Sequence, residues 1–397
     1  MTAPETPGPP AAAPPTAGTL RELLRYLLGL GTFGFGGPIA LAGYMQRDLV
    51  ERRGWIAKKD YVDGLALAQL APGPLAAQLA IYLGWAKGGA VGATGAAAAF
   101  ILPSFVMVMA LSAFYVRFGG LAWMQSAFYG IGAAVITIIA RSAVKLVKMT
   151  LGKDRLLWAL FAASAITTGW TESEIVWLFL VSGVVVLLSR ARPRPAPPAV
   201  ALVPPGVWAA LGVAATTGAA VSWPLLVKIG LYFAEAGTLV FGSGLAIVPF
   251  LHGGVVNQLH WLSERQFLDA VAVAMITPGP VVITVAFIGY LVAGPFGGVA
   301  AAAGVFLPSY LFVVVPAPYF RRFADNPRVR AFVDGVTAAA TGAIAGAAFV
   351  LGRRALVDLP TVAIAGATWL VFTRWKKLPE PVVILAAGVV GCLLRRS

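Results

Sequence analysis

Long apolar runs alternate with short polar or basic stretches along the whole chain. In the first half the apolar runs cover about residues 22–46, 60–86, 90–116, 121–145, 155–170 and 174–189. In the second they cover about 226–251, 266–292, 296–319, 329–352, 356–373 and 380–394, preceded by an extra run at about 206–223. Several approach the ~20 apolar residues a helix needs to span hydrocarbon. A transmembrane β-barrel would instead show ~10-residue strands of alternating polarity, and no such strands occur. The pattern predicts an all-α, polytopic membrane protein.

Sliding the chain against itself by 206 residues brings two halves into register. Gly31-Thr32 meets Gly237-Thr238, Phe35-Gly36 meets Phe241-Gly242, Trp55 meets Trp261, Asp63 meets Asp269, and Pro72-Gly73-Pro74 meets Pro278-Gly279-Pro280. After a one-residue deletion the offset becomes 205, matching Gly84, Gly89 and Gly92 to Gly289, Gly294 and Gly297, and Leu102-Pro103-Ser104 to Leu307-Pro308-Ser309. Chance matching would scatter over many offsets, so the halves are homologous. The chain then divides into a disordered cytoplasmic tail (residues 1–20), a first transmembrane repeat (21–189), a basic Pro-rich linker (190–205) and a second part (206–397) holding the extra run and the second repeat. Six runs plus one extra place the second repeat upside-down relative to the first, the inverted-repeat plan of many secondary transporters.

Charge refines this plan. Simple counting of spans puts residues 47–59 outside, although Arg47, Arg52, Arg53, Lys58 and Lys59 lie there. If the first two runs of each half are hairpins that enter and leave on one side, the N-terminus, 47–59, 141–155 and 190–194 all fall inside, as the positive-inside rule favours. The weakly charged stretch 252–266 then lies outside and 321–330 inside, with Arg353-Arg354 and Arg395-Arg396 as exceptions. Fully spanning broken helices remain the alternative, because the rule biases topology without fixing it.

Composition agrees. Of the 397 residues, 59% are hydrophobic and 12% charged, about half the charge of a soluble domain. The formal net charge of +14 sits in short clusters between apolar runs, which speaks for membrane topology and against nucleic acid. One cysteine, Cys392, and two histidines, His252 and His260, leave no disulfide framework and little for metal ligation, so no cofactor or metal is expected. Residues 1–18 lack the basic-then-apolar plan of a signal peptide.

Two backbone-breaking motifs recur in the middle of apolar runs. One is Phe33-Gly34-Phe35-Gly36-Gly37-Pro38, with Phe241-Gly242-Ser243-Gly244 as its partner; the other is Pro72-Gly73-Pro74, repeated as Pro278-Gly279-Pro280. Proline removes an N–H and clashes with the preceding turn, and glycine adds freedom, so a helix breaks there. At membrane depth the freed backbone groups must be buried in protein or face water. Half-helix N-termini gathered near the midplane offer N–H donors and partial positive charge, which suits an anion. Gly84, Gly89, Gly92 and their partners read instead as close helix packing. Polar side chains near the breaks are Thr32, Gln69, Gln78, Thr238, Ser243, Thr277 and Thr284, able to hold an oxyanion moderately or to cap broken helix ends.

Asp63 and Asp269 each fall nine residues before a Pro-Gly-Pro, where they can be interfacial or carry protons, and Glu235 lies in an otherwise apolar run. Intramembrane carboxylates are costly and point to function, so these three are the proton-coupling candidates. Arg141, Lys145 and Lys148 share one helical face, as an anion-attracting vestibule or as snorkelling anchors.

On these motifs the chain resembles the chromate ion transporter (CHR) family in its long, two-domain form. Phe33 to Pro38, Trp55, Asp63 and Pro72-Gly73-Pro74 carry the resemblance, over residues 22–394; Phe-Gly-Ser-Gly in the second half departs from Phe-Gly-Gly-Pro. The resemblance implies export of chromate from the cytoplasm through the cell inner membrane, conferring resistance, with proton flow as a further coupling; the residues alone reach only a small anion. Moving a charge through the membrane potential is worth ~2.3 kcal/mol per 100 mV, so a dianion leaving an inside-negative cell gains about twice that. A sulfate importer or exchanger is the alternative. An embedded enzyme would need ligands or cofactor motifs that the chain lacks, and its loops are too short for a receptor domain. The implied partners are a small oxyanion and the lipid bilayer, with a homodimer as the assembly to test and no nucleic acid.

Overall fold

The computed structural model describes residues 18–35, 37–118, 122–171, 176–190, 222–238, 247–320, 326–375 and 378–394. Every regular element among them is helical. Residues 191–221, which hold the expected linker after Arg190 and nearly all of the extra run, lie outside the described residues, as do the tail up to residue 17, Gly36, and Phe241-Gly242-Ser243-Gly244.

The first repeat holds α1 (Leu20–Phe33), α2 (Gly37–Met45), α3 (Lys58–Leu70), α4 (Leu75–Phe118), α5 (Ala122–Thr150), α6 (Arg155–Thr171) and α7 (Val176–Arg190). The second holds α8 (Trp223–Thr238), α9 (Ile247–His252), α10 (Glu264–Ile276), α11 (Thr284–Val314), α12 (Pro327–Ala355), α13 (Leu359–Arg374) and α14 (Glu380–Leu394). Wide π-type turns follow α2 at Gln46–Arg52 and α9 at Gly253–Gln258, and a 3₁₀ turn, Val281–Ile283, leads into α11. α1 opens inside the stretch expected as tail. Thr19 caps it, with its hydroxyl accepting from the Glu22 N–H at 3.3 Å and its own N–H donating to Glu22 Oε2 at 2.7 Å.

α1 and α2 form a hairpin that enters and leaves on one face. Tyr26 Oη donates to Asp48 at 3.2 Å, and Trp55 comes back beside Gly18. α3 and the first arm of α4 form a second hairpin on the same face, closed when Lys87 Nζ donates to the Gly18 carbonyl at 2.8 Å. α4 is itself bent double at Gly88 (φ −151°) and Gly89 (φ +56°), and α11 repeats the bend at Ala293 (φ −143°) and Gly294 (φ +62°). Positive φ is open to glycine at no steric cost. The bend folds Gly84 against the Gly92 carbonyl and Gly289 against the Gly297 carbonyl. The re-entrant alternative is therefore the one realised.

The second arms of α4 and α11 cross antiparallel. Thr94 Oγ1 lies 2.8 Å from Tyr310 Oη near one end, while a Cβ on Gly298 would fall 2.5 Å from Met109 Sδ near the other. The second pair of hairpins accordingly enters from the opposite face, where Tyr115 Oη donates to Asp269 Oδ2 at 2.7 Å and Arg265 Nη2 to the Gln125 carbonyl at 3.4 Å. The repeats are inverted. Arg190 closes the first repeat on the hairpin face, reaching Asp154 and Asp334 at 2.6 Å each, whereas Trp223 opens the second repeat at the other. The Arg190 guanidinium holds the Asp154 carboxyl below the usual carboxylate range.

The halves interlock. α6 and α7 pack on α12, and α13 and α14 pack on α5. Gly130 of α5 abuts Ala387 and Gly391, and its counterpart Gly335 of α12 abuts Ser182 and Gly183. Small residues let backbones approach closely where lipid gives helices no hydrophobic drive to associate. Four helices among the described residues are long and apolar enough to cross a membrane, namely α4, α5, α11 with its 3₁₀ lead-in, and α12.

Candidate substrate site at the helix breaks

The inversion sets the turns of the two repeats face to face. The Gly279 N–H donates to the Gly34 carbonyl at 2.9 Å, joining Pro278-Gly279-Pro280 of the second repeat to the helix break of the first. Each Pro-Gly-Pro also rests on the long helix of the other half. A Cβ on Gly279 (φ +101°) would lie 2.5 Å from Ser104 Oγ, and one on Gly73 (φ +141°) would lie 2.9 Å from Ser309 Oγ. Ser104 and Ser309 are matched positions of the repeat, each following a proline inside its helix.

Between these parts runs a crevice lined by Pro38 and Leu41 of α2, Pro74 and Ala76 at the start of α4, and Gly279, Pro280, Val281 and Val282 at the start of α11. Three helix N-termini therefore meet at one place. The first N–H groups of each have no partner within their helix, and each end carries about half a positive charge. The crevice holds about 10 Å³, on the order of one water molecule. An oxyanion of four oxygen atoms enters only when the walls move apart.

The structure thus brings together Pro38, Pro74, Gly279 and Pro280 of the expected residues, with Gly37 (φ +74°), Pro72, Gly73 and Pro278 beside them. Phe35, half-buried, flanks the first break. Thr32, Thr277 and Thr238 sit at helix ends, but their hydroxyls donate to carbonyls of their own helices: to Leu28 and Val273 at 2.7 Å and to Glu235 at 2.7 Å. Gln69 is exposed on α3 and lines no part of the crevice.

The carboxylates are not gathered at the breaks. Asp269 is buried near the opposite face with the Tyr115 hydroxyl on it, and Asp63 is half-buried near the hairpin face. Seven helical steps, about 10 Å, separate each from the end of its helix before the Pro-Gly-Pro. Glu235 is exposed in the last turn of α8. Arg141 stacks its guanidinium 4.4 Å from the Phe372 ring of α13.

Gln78 is the polar group most tightly built into the site. It is fully buried, and its Nε2 donates to the Pro72 carbonyl at 2.7 Å, while its Oε1 has no partner among the described residues. Its counterpart in the second repeat, Thr284, is equally buried and donates to the Val281 carbonyl at 2.7 Å. Ser104, Ser309 and Tyr115 were not singled out by sequence reasoning. The signal for the two serines was present, since Leu-Pro-Ser recurs in both halves at one offset; Tyr115 left none.

A protein-family model described as chromate transporter matches the chain twice, over residues 21–187 and 227–392. The chain is 58% identical to the chromate transport protein of Cupriavidus metallidurans over 94% of this chain and 92% of that protein. It is 53% identical to a probable chromate transport protein of Synechococcus elongatus, over 94% of this chain and 95% of that one. The uncharacterized transporter YwrA of Bacillus subtilis is 30% identical over 43% of this chain and 98% of its own length, so it corresponds to about one repeat. No solved structure matches the chain.

Proposed function

Because the chain belongs to the chromate transporter family, we propose that it is a secondary transporter carrying chromate out of the cytoplasm across the inner membrane, driven by the membrane potential. The observation that carries this reading is the meeting of three helix N-termini around Pro38, Pro74 and Pro280. Unpaired N–H groups and helix dipoles favour an anion without a fixed positive side chain to hold it too tightly. Backbone N–H groups of Gly37, Gly73, Leu75, Ala76, Val281 and Val282 supply most contacts, with Thr32, Thr277 and Thr238 turning their hydroxyls toward substrate as the walls separate. Phe35, Gly36 and the Phe241-Gly242-Ser243-Gly244 stretch are assigned to the same site on the recurrence of their motif in both halves of the sequence.

Orientation follows from charge. Arg47, Arg52, Arg53, Lys58, Lys59, Lys87, Lys145, Lys148, Lys153 and Arg155 cluster on the face that the first hairpins enter, and Arg190 and Arg328 join them. The positive-inside rule makes that face cytoplasmic and the N-terminus with it. Residues 21–189 and 206–397 act as the two inverted units, and opening the crevice first to one face and then to the other carries the anion through. Export of a dianion runs with an inside-negative potential, about 4.6 kcal/mol per 100 mV. Asp63 and Asp269, close to opposite faces, and Glu235 are the groups through which proton flow would couple.

The test is uptake of chromate and of sulfate into everted membrane vesicles, with potential and pH gradient varied separately. Chromate should accumulate when the potential is imposed alone. Sulfate accumulating equally well would assign the site to tetrahedral dianions at large, and accumulation indifferent to potential would reject the driving force.

A further inference from the structure

A second groove lies away from the helix breaks. It opens between α5, α6 and α12, holds about 530 Å³, and is lined by Val144, Val147, Lys148, Trp158, Phe161 and Ala345 among others. Val144 and Trp158 are 44% and 45% exposed, so the groove faces outward.

Its lining runs from the basic face inward along α12. The outer end is fixed by Lys148 and Gly152, next to Asp154 and the Arg190 cluster that marks the basic face. The inner end is Ala345, eleven residues along α12 from Asp334 of the same cluster. At 1.5 Å per residue this is about 16 Å, half of the ~30 Å hydrocarbon core and hence one leaflet deep. The wall is apolar along that depth. Among the described lining residues the one charged side chain, Lys148, stands at the headgroup end, and the Trp158 indole N–H donates to the Gly152 carbonyl at 3.3 Å beside it. An indole whose polar edge sits at headgroup level is the usual interfacial anchor. The nearby carboxylates, Asp154 and Asp334, both engage Arg190, so they do not neutralise Lys148.

We propose that this groove binds one phospholipid with an anionic headgroup from the basic-face leaflet, its phosphate at Lys148 and one acyl chain lying along Val147, Phe161 and Ala345. Because α5 and α6 belong to the first repeat and α12 to the second, the lipid bridges the two repeats at the seam where they interlock.

Native mass spectrometry of the full chain, supplied with phosphatidylglycerol or with phosphatidylcholine of identical acyl chains, tests this. The expected result is several-fold greater retention of phosphatidylglycerol. Lys148→Glu should lower it to the phosphatidylcholine level, Lys148→Arg should preserve it, and Ala345→Phe, which fills the inner end, should reduce retention of both lipids. If Lys148→Glu gives aggregated protein, Lys148→Gln is measured in its place. Equal retention of the two lipids by the unmodified chain overturns the proposal. So does a phosphatidylglycerol preference that survives both Lys148→Gln and Ala345→Phe.

Discussion

The N–H of Gly279 donates to the carbonyl of Gly34 at 2.9 Å, so the turn of one repeat is sealed by the helix break of the other. Motion of either hairpin away from its partner must break this bond. Gly279 also sits against Ser104 on a backbone of φ +101° that L side chains rarely adopt.

Gly279→Ala adds a methyl group 2.5 Å from Ser104 Oγ and strains the backbone. Residues held in such regions cost about 1–3 kcal/mol, and the displaced turn loses its bond to the Gly34 carbonyl. Transport in vesicles should fall at least tenfold with normal membrane insertion. Adding Ser104→Gly removes the collision but leaves the strain, so the double variant should recover part of the rate. A fully active Gly279→Ala would show that the turn is not held as described.

At the face opposite the basic one, Glu264 joins three elements. It accepts from His252 Nε2 at 2.7 Å and pairs with Arg354 at the end of α12. Both members of the Arg354 pair are about one-third exposed, so solvent screens it. Glu264→Gln should lower the melting temperature by a few degrees, about 1 kcal/mol. Arg354→Gln should do the same, and the double variant should be no worse than either single one. Additive losses would mean that the two residues act independently.

The inverted arrangement makes a labelling prediction. In a Cys392→Ser background, Lys59→Cys lies on the basic face and Gln258→Cys on the opposite one, both exposed. A membrane-impermeant thiol reagent added to intact cells should label Gln258→Cys only, and should reach Lys59→Cys only in everted vesicles. Labelling of both from one side would contradict the inversion.

Much of this was legible in the sequence. One register held over about a hundred residues reveals the repeat, and the basic cluster at 47–59 favours hairpins over spanning helices. What the hydroxyls do was not legible. Thr32, Thr277 and Thr238 donate to carbonyls three or four residues back, a local choice that residue type leaves open. Gln69 and Gln78 flank the same turn, yet one is exposed and the other fully buried, because they lie on different arms of the hairpin. The docking of α6 and α7 on α12 was also hidden, since helices apolar all round carry no stripe to say which face is inward. Tyr115 and Asp269 are brought together across 154 residues by the inversion alone.

Gln78 gives the most discriminating test of the site, because the two repeats hold their turns by different means. In the first, the Gln78 amide reaches back 2.7 Å to the Pro72 carbonyl. In the second, the Thr284 hydroxyl donates to the Val281 carbonyl, and the turn is held from outside by the Gly34 carbonyl. Gln78→Met keeps the length and volume of the side chain but leaves the Pro72 carbonyl without its buried donor, a loss of about 1–3 kcal/mol. Thr284→Val removes a hydroxyl that braces no turn proline, and should cost less. Gln78→Met should therefore slow chromate transport by an order of magnitude or more, while Thr284→Val should change it by no more than about threefold. The effect should appear in the maximal rate and the half-saturating concentration together, because a loosened turn disturbs the α4 N-terminus both before and after the anion binds. Equal effects of the two substitutions would mean that the Pro72 carbonyl bond does not hold the first turn, and the crevice would then owe its shape to the crossing of α4 and α11 instead.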